Sequence, residues 1–227
     1  NGDTVLVFDG IYHENNISFG GKEVVLISEN GPDQTKIDGQ NSGRIFDINQ
    51  GETFNTEING FSIQNGQAST GSAVRVINDS YITIRNCRII NNSAPGGWTR
   101  AALSLGHAYN NGPHTPAAVH VFNTVFSDNS GYYGGAVFNE QSGNVRSIFE
   151  NCTFKLNTAY HGAGIFGTRN SLIKGCSFFY NNSTGPTNAV IQNEAGYPEI
   201  INCTFAYNSA YAITRSSSNP TTIVNSI

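Results

Sequence analysis

The feature that most constrains the fold is a short motif that recurs at intervals of a few tens of residues. Asn-Cys-Thr-Phe stands at 151–154 and at 202–205, and Gly-Cys-Ser-Phe stands at 175–178. Repeats of this length are typical of solenoids, in which each repeat forms one turn and buries its apolar face against its neighbours. The repeat therefore predicts the fold class before any single residue is considered.

Aligning the repeats on the cysteine produces columns of similar residues. The cysteine column consists of Phe61, Cys87, Thr124, Cys152, Cys176, Cys203 and Ser226. Apolar residues stand two positions after this column, which is the alternation expected of a strand with one buried face. The position before it holds Gly60, Asn86, Asn123, Asn151, Gly175, Asn202 and Asn225. Because Gly and Asn tolerate positive φ, we expect a bend there.

Two further columns follow the cysteine in each repeat. Five residues after it stand Gly66, Asn92, Asn129, Asn157, Asn181 and Asn208. Stacked asparagine amides can hydrogen-bond from one turn to the next, so this column predicts an asparagine ladder at a second bend. A second strand then pairs a small residue with a branched one, at Ala73-Val74, Ala102-Leu103, Ala136-Val137, Gly164-Ile165, Ala189-Val190 and Ala212-Ile213.

These columns predict an all-β protein, a single-stranded parallel β-helix of about seven to eight coils. The general chirality of parallel crossovers predicts a right-handed coil. We expect one such domain over 1–227, with Val5–Phe8 and Val24–Ile27 as strands of the first coils. Because the end of the sequence, 221–227, matches the start of another repeat, we expect a segment of a longer chain with further domains.

The four cysteines are predicted to be free thiols. Parallel side chains on stacked strands lie about 4.8 Å apart, whereas a disulfide prefers Cβ atoms about 3.8 Å apart. We therefore expect Cys87, Cys152, Cys176 and Cys203 to pack in the core as small apolar side chains.

The composition argues against several classes of partner. The net charge is −4 and only 12% of the residues are charged, without a basic run, so nucleic acid is an unexpected partner. No apolar stretch approaches the roughly 20 residues of a membrane helix, and we expect no membrane insertion of this segment. The spacing of its cysteines and histidines matches no standard metal motif, so no metal site or other cofactor is predicted.

The motifs resemble a known group of proteins. The Phe-x-x-Asn sequences, with Gly-Gly-Ala-Val at 134–137 and Gly-Ala-Gly-Ile at 162–165, resemble the polymorphic outer-membrane-protein repeat. That repeat belongs to the right-handed parallel β-helix proteins of the pectate-lyase-like superfamily. The opening residues 2–15 also look like the first coil of secreted bacterial β-helix proteins. The resemblance implies an extracellular or cell-surface location, and a family that includes polysaccharide lyases, hydrolases, epimerases and adhesins.

Enzymes of that superfamily bind polysaccharide along an outer face of the coil. The face around the first bend carries no two carboxylates on adjacent coils, which argues against a polygalacturonase-type hydrolase and a Ca²⁺-dependent pectate-lyase site. Its weak catalytic candidates are Arg85, Arg88, Glu150 and Lys174, with Lys174 or Arg88 as base and Arg85 neutralising a uronate. The alternative is that these residues form solvated ion pairs.

A long interval between Cys87 and Thr124 is a second candidate region. It contains Trp98, Arg100, His107, Tyr109, His114 and His120. Long loops on rigid scaffolds often carry function, although the histidine spacings match no standard metal motif.

Aromatic residues are the third candidate. Trp98, Tyr132, Tyr133, Tyr160, His161 and Tyr211 follow the asparagine column and are predicted to form a stripe on one edge of the rod. Flat rings with a polar edge suit sugar rings. The alternative is that they cover the bends of neighbouring coils.

From these features we expect a non-catalytic module of a bacterial surface or secreted protein that contacts a host or cell-surface glycan or polysaccharide as an adhesin does. The alternatives are a polysaccharide lyase, or a related carbohydrate-active enzyme, acting on a uronate-containing polysaccharide, and a structural spacer.

Overall fold

A computed structural model describes residues 2–106, 114–215, 218 and 220–227. Within these ranges the chain forms short strands and no helix. The first half contains β1 (Asp3–Val7), β2 (Gly10–Tyr12), β3 (Val24–Ser28), β4 (Thr35–Asp38), β5 (Phe46–Ile48), β6 (Glu57–Asn59), β7 (Ser62–Gln64), β8 (Val74–Val76), β9 (Ser80–Arg85), β10 (Arg88–Ile90), β11 (Leu103–Leu105), β12 (Ala117–Phe122) and β13 (Val125–Ser127). The second half contains β14 (Ser130–Tyr133), β15 (Val137–Asn139), β16 (Ile148–Glu150), β17 (Thr153–Lys155), β18 (Thr158–His161), β19 (Ile165–Phe166), β20 (Leu172–Lys174), β21 (Ser177–Phe179), β22 (Asn182–Ser183), β23 (Ala189–Asn193), β24 (Glu199–Ile201), β25 (Thr204–Ala206), β26 (Tyr211–Arg215) and β27 (Thr222–Val224).

The strands build three long sheets and one short sheet, all parallel. The first sheet has nine strands in the order β1-β3-β6-β9-β12-β16-β20-β24-β27, and the second has eight in the order β2-β4-β7-β10-β13-β17-β21-β25. The third has seven, from β26 through β23, β19, β15, β11 and β8 to β5, and β14, β18 and β22 form the short sheet. From β3 to β26, each turn of the chain contributes one strand to each long sheet in succession, with β1 and β2 before these turns and β27 after them. The predicted single-stranded parallel β-helix is therefore confirmed.

The pairing register confirms the columns around the cysteine. The residues two positions after it stack on one another, and the rings of Phe126, Phe154, Phe178 and Phe205 lie nearly parallel with centroids 4.6 to 4.9 Å apart. One continuous hydrophobic core runs inside the three sheets. The four cysteines are buried in this core as free thiols, as predicted.

The first bend occurs at the predicted residues. Gly60, Asn86, Asn123, Asn151, Gly175, Asn202 and Asn225 all have positive φ, between 45° and 86°. The second bend has its positive φ one residue before the asparagine column. It is formed by Asn65, Asn91, Asp128, Leu156, Tyr180 and Tyr207, with φ between 54° and 58°. The last three are residue types that rarely adopt this conformation, and the sequence analysis did not identify them.

The predicted asparagine ladder is present at the second bend. The Nδ2 group of each asparagine donates to the Oδ1 atom of the asparagine one turn later, over 3.0 to 3.1 Å, from Asn92 through Asn129, Asn157 and Asn181 to Asn208. The backbone N–H of each donating residue bonds the same oxygen, and each ladder Nδ2 from Asn129 onwards also donates to a carbonyl of the preceding turn. The ladder therefore satisfies backbone groups that the bend removes from the sheets.

One part of the predicted register is wrong. Ile165 pairs with Ile191 rather than with Val190, so Ala189-Val190 lies one residue out of the predicted column. The loop that precedes this strand is longer than the corresponding loop between Asn157 and Ile165. The extra residues are accommodated before β23, which the spacing of small and branched residues did not reveal.

Both ends of the described coil agree with the predicted strands. β1 pairs with β3, and β27 pairs with β24 as the beginning of a further turn. Among the described residues there is no helix with the length and apolar character needed to cross a membrane.

Candidate functional site

The charged candidates on the face around the first bend do not form one cluster. The Lys174 Nζ atom lies 2.9 Å from a carboxylate oxygen of Glu150. Arg85 pairs instead with Glu57 at 3.1 Å, and its guanidinium lies over the Phe122 ring. Because Phe122 stands between Arg85 and Glu150 in the sheet, it separates the two ion pairs.

The remaining charged candidate also has its own partner. Arg88 forms an ion pair with Asp33, a residue outside the predicted cluster. Both side chains are substantially exposed to solvent. Ion pairs of this kind contribute little to stability.

The long interval between Cys87 and Thr124 is only partly a loop. His120 belongs to β12, and its ring stacks on Phe54 with centroids 3.8 Å apart. His114 is exposed, and His107 and Tyr109 lie outside the described residues. Among the described residues no three His, Cys, Asp or Glu side chains are grouped closely enough to hold a metal ion.

Five of the six aromatic candidates form one cluster. Trp98 stacks on Tyr132 at 6.0 Å, and Tyr132 stacks on Tyr160 at 4.7 Å. A second stack lies beside the first, with Tyr133 and His161 at 5.3 Å. Parallel pairing of β14 with β18 places these residues in register and so produces the predicted stripe.

Tyr211 is separate from this cluster. It lies in β26, where it pairs with Ala189, and its side chain is exposed. No ring contact connects it to the other five residues within the described part of the chain.

The aromatic cluster forms one wall of a groove of about 440 Å³, which we call the Trp98 groove. Its walls and floor come from consecutive turns of the coil. The lining residues are Trp98, Arg100, Tyr133, Phe138, Glu140, His161, Phe166, Gln192 and Glu194. The groove thus combines aromatic surfaces with a few polar side chains, which is the usual composition of a small-molecule site.

Trp98 is held at the rim of this groove in an unfavourable backbone conformation. Its φ is 66°, and 61% of its surface is exposed. A bulky residue in the left-handed region costs roughly 1–2 kcal/mol. Such conformations cluster at functional sites, where the surrounding structure maintains them.

Glu140 is an acidic group of the groove whose pKa is shifted by its surroundings. Burial raises the pKa of the Glu140 carboxyl above its ordinary value, and the nearby Glu194 raises it further. His114, Arg169 and Arg100 act in the opposite direction. Glu140 therefore retains its proton to a higher pH than an exposed glutamate does.

Arg100 is the cation of the groove. Its guanidinium lies 5.1 Å from the centre of the Phe138 ring, and its Nη1 donates to the backbone oxygen of Trp98 over 3.1 Å. Burial lowers the pKa of the guanidinium, which nevertheless stays protonated at any accessible pH. Arg100 therefore stabilises the left-handed backbone conformation of Trp98 through this hydrogen bond.

A hydrogen-bonded chain crosses the groove floor. Nδ1 of His161 lies 2.9 Å from the Thr187 hydroxyl, which lies 2.7 Å from Oε1 of Gln192. Nε2 of Gln192 bonds a carboxylate oxygen of Glu194. Burial lowers the pKa of the His161 imidazole, which favours its neutral form.

The sequence analysis missed Phe138, Glu140, Phe166, Thr187, Gln192 and Glu194. The aligned repeats could have predicted the two glutamates. Glu140 stands three positions after Val137, and Glu194 stands three positions after Ile191, which occupies the same column of the third sheet. The misaligned Ala189-Val190 strand placed Asn193 rather than Glu194 at that position. Both glutamates also lie away from the face around the first bend, where the sequence predicted the catalytic candidates.

The chain was compared with protein-family models, with curated proteins and with solved structures, and none of them matched.

Proposed function

We propose that this chain is a glycan-binding β-helix module and that its ligand lies in the Trp98 groove. The observation that carries the proposal is the exposed Trp98 ring at the rim of a groove with a polar floor. An indole presents a flat apolar face to the C–H groups of a sugar, while the floor can bond its hydroxyls. The strained Trp98 backbone further supports a binding role.

The proposed setting is the surface of a bacterial cell or its surroundings, with the module acting as an adhesin does. The support for this setting is the resemblance of the Phe-x-x-Asn and Gly-Gly-Ala-Val motifs to repeats of secreted β-helix proteins. A role as a spacer is the simplest competing function, and it requires no ligand in the groove.

The chain contains a single tryptophan, so fluorescence excited selectively from tryptophan reports on Trp98 alone. Titration with a panel of oligosaccharides should shift or quench this fluorescence for at least one glycan. Calorimetry should then show that Trp98→Ala weakens binding at least tenfold, whereas Tyr211→Ala, which changes an aromatic outside the groove, leaves it unchanged. A spacer would give no response to any glycan.

A second candidate function is cleavage of a polysaccharide. The observation that favours it is the presence of two glutamates in one groove, of which Glu140 has a raised pKa and could act as a general acid. The lyase candidates Glu150 and Lys174 remain a separate pair on another face, and Arg85 and Arg88 are engaged elsewhere.

Cleavage can be tested by incubating the protein with neutral and uronate polysaccharides. Reducing ends without ultraviolet absorbance indicate hydrolysis, and unsaturated products indicate a lyase. Loss of product with Glu140→Gln would assign the activity to the groove. Loss with Lys174→Ala alone would assign it to the face around the first bend.

A further inference from the structure

The chain of hydrogen bonds on the groove floor has a fixed direction. The Glu194 carboxylate accepts hydrogen bonds, so the Gln192 atom that faces it is the amide nitrogen. The amide oxygen of Gln192 consequently faces Thr187, which must donate its single hydroxyl hydrogen to that oxygen.

The direction of the chain determines the tautomer of His161. Because the Thr187 hydroxyl has already donated its hydrogen, it can only accept from the imidazole. Nδ1 of His161 therefore carries the hydrogen, and Nε2 of the neutral ring holds a lone pair. His161 also bonds Gln192, and because this bond raises the pKa of the imidazole it runs from the ring N–H to the amide oxygen, as the same tautomer requires. No donor to Nε2 is seen within the described part of the chain, and His161 lines the groove.

The charges of the groove limit what kind of ligand it can accept. Two carboxyl groups, Glu140 and Glu194, line it with the guanidinium of Arg100, and Arg169 and His114 also act on Glu140. A uronate would bring a third carboxyl group to this partly buried site, where it would be repelled by ionised Glu194 and would compete with Glu140 and Glu194 for the same cations. An uncharged ligand does not incur this repulsion.

Resting on the proposed function, we infer that the Trp98 groove binds an uncharged carbohydrate, one of whose hydroxyl groups donates a hydrogen bond to Nε2 of His161. Thr187 is the positioning residue, because its hydroxyl links the imidazole to Gln192 and Glu194. The groove thereby selects neutral sugars over uronates and requires neutral His161.

Binding should consequently depend on pH. Protonation of His161 converts Nε2 from an acceptor into a donor and removes the bond to the ligand. The ionisable and charged groups around the imidazole are Tyr132, Tyr133 and Tyr160, whose rings contact it, and Glu140, Glu194 and Arg100 of the groove. Affinity should decrease as the solution becomes acidic enough to protonate the ring.

The test compares neutral and uronate oligosaccharides of equal length by Trp98 fluorescence across a pH series. Wild-type protein should bind a neutral glycan at least tenfold more tightly than its uronate counterpart. Thr187→Val keeps the side-chain shape but breaks the chain, and it should weaken binding about five- to tenfold and alter the pH profile. His161→Phe can retain the ring stacked on Tyr133 and should abolish the acidic loss of affinity.

Thr184→Val is the matched control, because this exposed threonine lies in the same loop and, among the described residues, its hydroxyl bonds the backbone oxygen of Ala159. It should preserve both affinity and pH profile, and thermal melts verify that each variant folds. Tight uronate binding, or a Thr187→Val protein with an unchanged pH profile, overturns this inference while leaving glycan binding intact. Absence of binding to every glycan overturns the proposed function as well.

Discussion

The side-chain amide of Asn129 donates to Oδ1 of Asn157 over 3.0 Å, and the backbone N–H of Asn129 bonds the same oxygen. Asn157 in turn donates to the carbonyl of Phe126 and to Asn181. Asn157→Ala removes these side-chain hydrogen bonds and leaves the buried backbone N–H of Asn129 without its acceptor. We expect unfolding in urea to require about 2–4 kcal/mol less free energy than in the wild type.

Asn208→Ala provides the control for that experiment. Asn208 occupies the last position of the ladder and is only partly buried, so water can replace its bonds. Its loss of stability should be clearly smaller. Equal losses at Asn157 and Asn208 would contradict the account of the ladder as a buried network.

Leu156 should be replaceable with a gain in stability. Its φ is 57° and about half of its surface is exposed, so the side chain contributes little burial to offset the backbone cost. Leu156→Asn should raise the free energy of unfolding by about 1 kcal/mol, because asparagine tolerates the left-handed region. Lys155→Asn, at the exposed neighbouring position in β17, should give no gain. A loss at Leu156 would show that its contacts outweigh the strain.

The four thiols should be chemically inert in the folded protein. Burial raises the pKa of Cys87 to about 12, and the pKa values of Cys176 and Cys203 are also raised. A thiol-specific reagent applied at mildly alkaline pH should therefore modify none of them before unfolding and all four in denaturant. Rapid labelling of any one thiol in the native protein would contradict its place in the core.

Glu140 should make the stability of the protein depend on pH. Because its folded pKa is raised, its protonated form contributes stability that is fully present below the ordinary pKa of 4.5 and is lost as pH rises through the folded value. Glu140→Gln is neutral at every pH. The variant should be more stable than the wild type at neutral pH and equally stable in acid. Urea titrations at both pH values measure this, and a constant difference would contradict the assignment.

The predictable part of this protein is the part that repeats. The bend at Asn86 and Asn151 and the ladder through Asn157 recur in consecutive turns, so a one-dimensional alignment recovers their three-dimensional stacking. The groove lies where turns differ from one another. Glu194 lies in the groove because the longer loop before β23 shifts this strand by one residue relative to the predicted column. The repeat pattern of the sequence contains no sign of this shift.

The left-handed bends at Leu156 and Tyr180 show a second feature that could not be predicted from the sequence. The ladder asparagine that follows each of them fixes the backbone through tertiary hydrogen bonds, and these override the local preference of the residue before it. Residue type alone therefore did not reveal the position of positive φ.

The asparagine ladder also gives the rod a direction. Every asparagine of the ladder donates a hydrogen bond to an oxygen of the next turn. The two ends of the ladder therefore need different partners. At the beginning only a donor is needed, and the backbone N–H of Gly66 supplies it to Oδ1 of Asn92. A glycine can thus start the ladder, whereas any turn stacked beyond Asn208 would have to present an acceptor. Turns of this coil can consequently be stacked in one direction only, with the ladder donor of each turn facing an acceptor in the next.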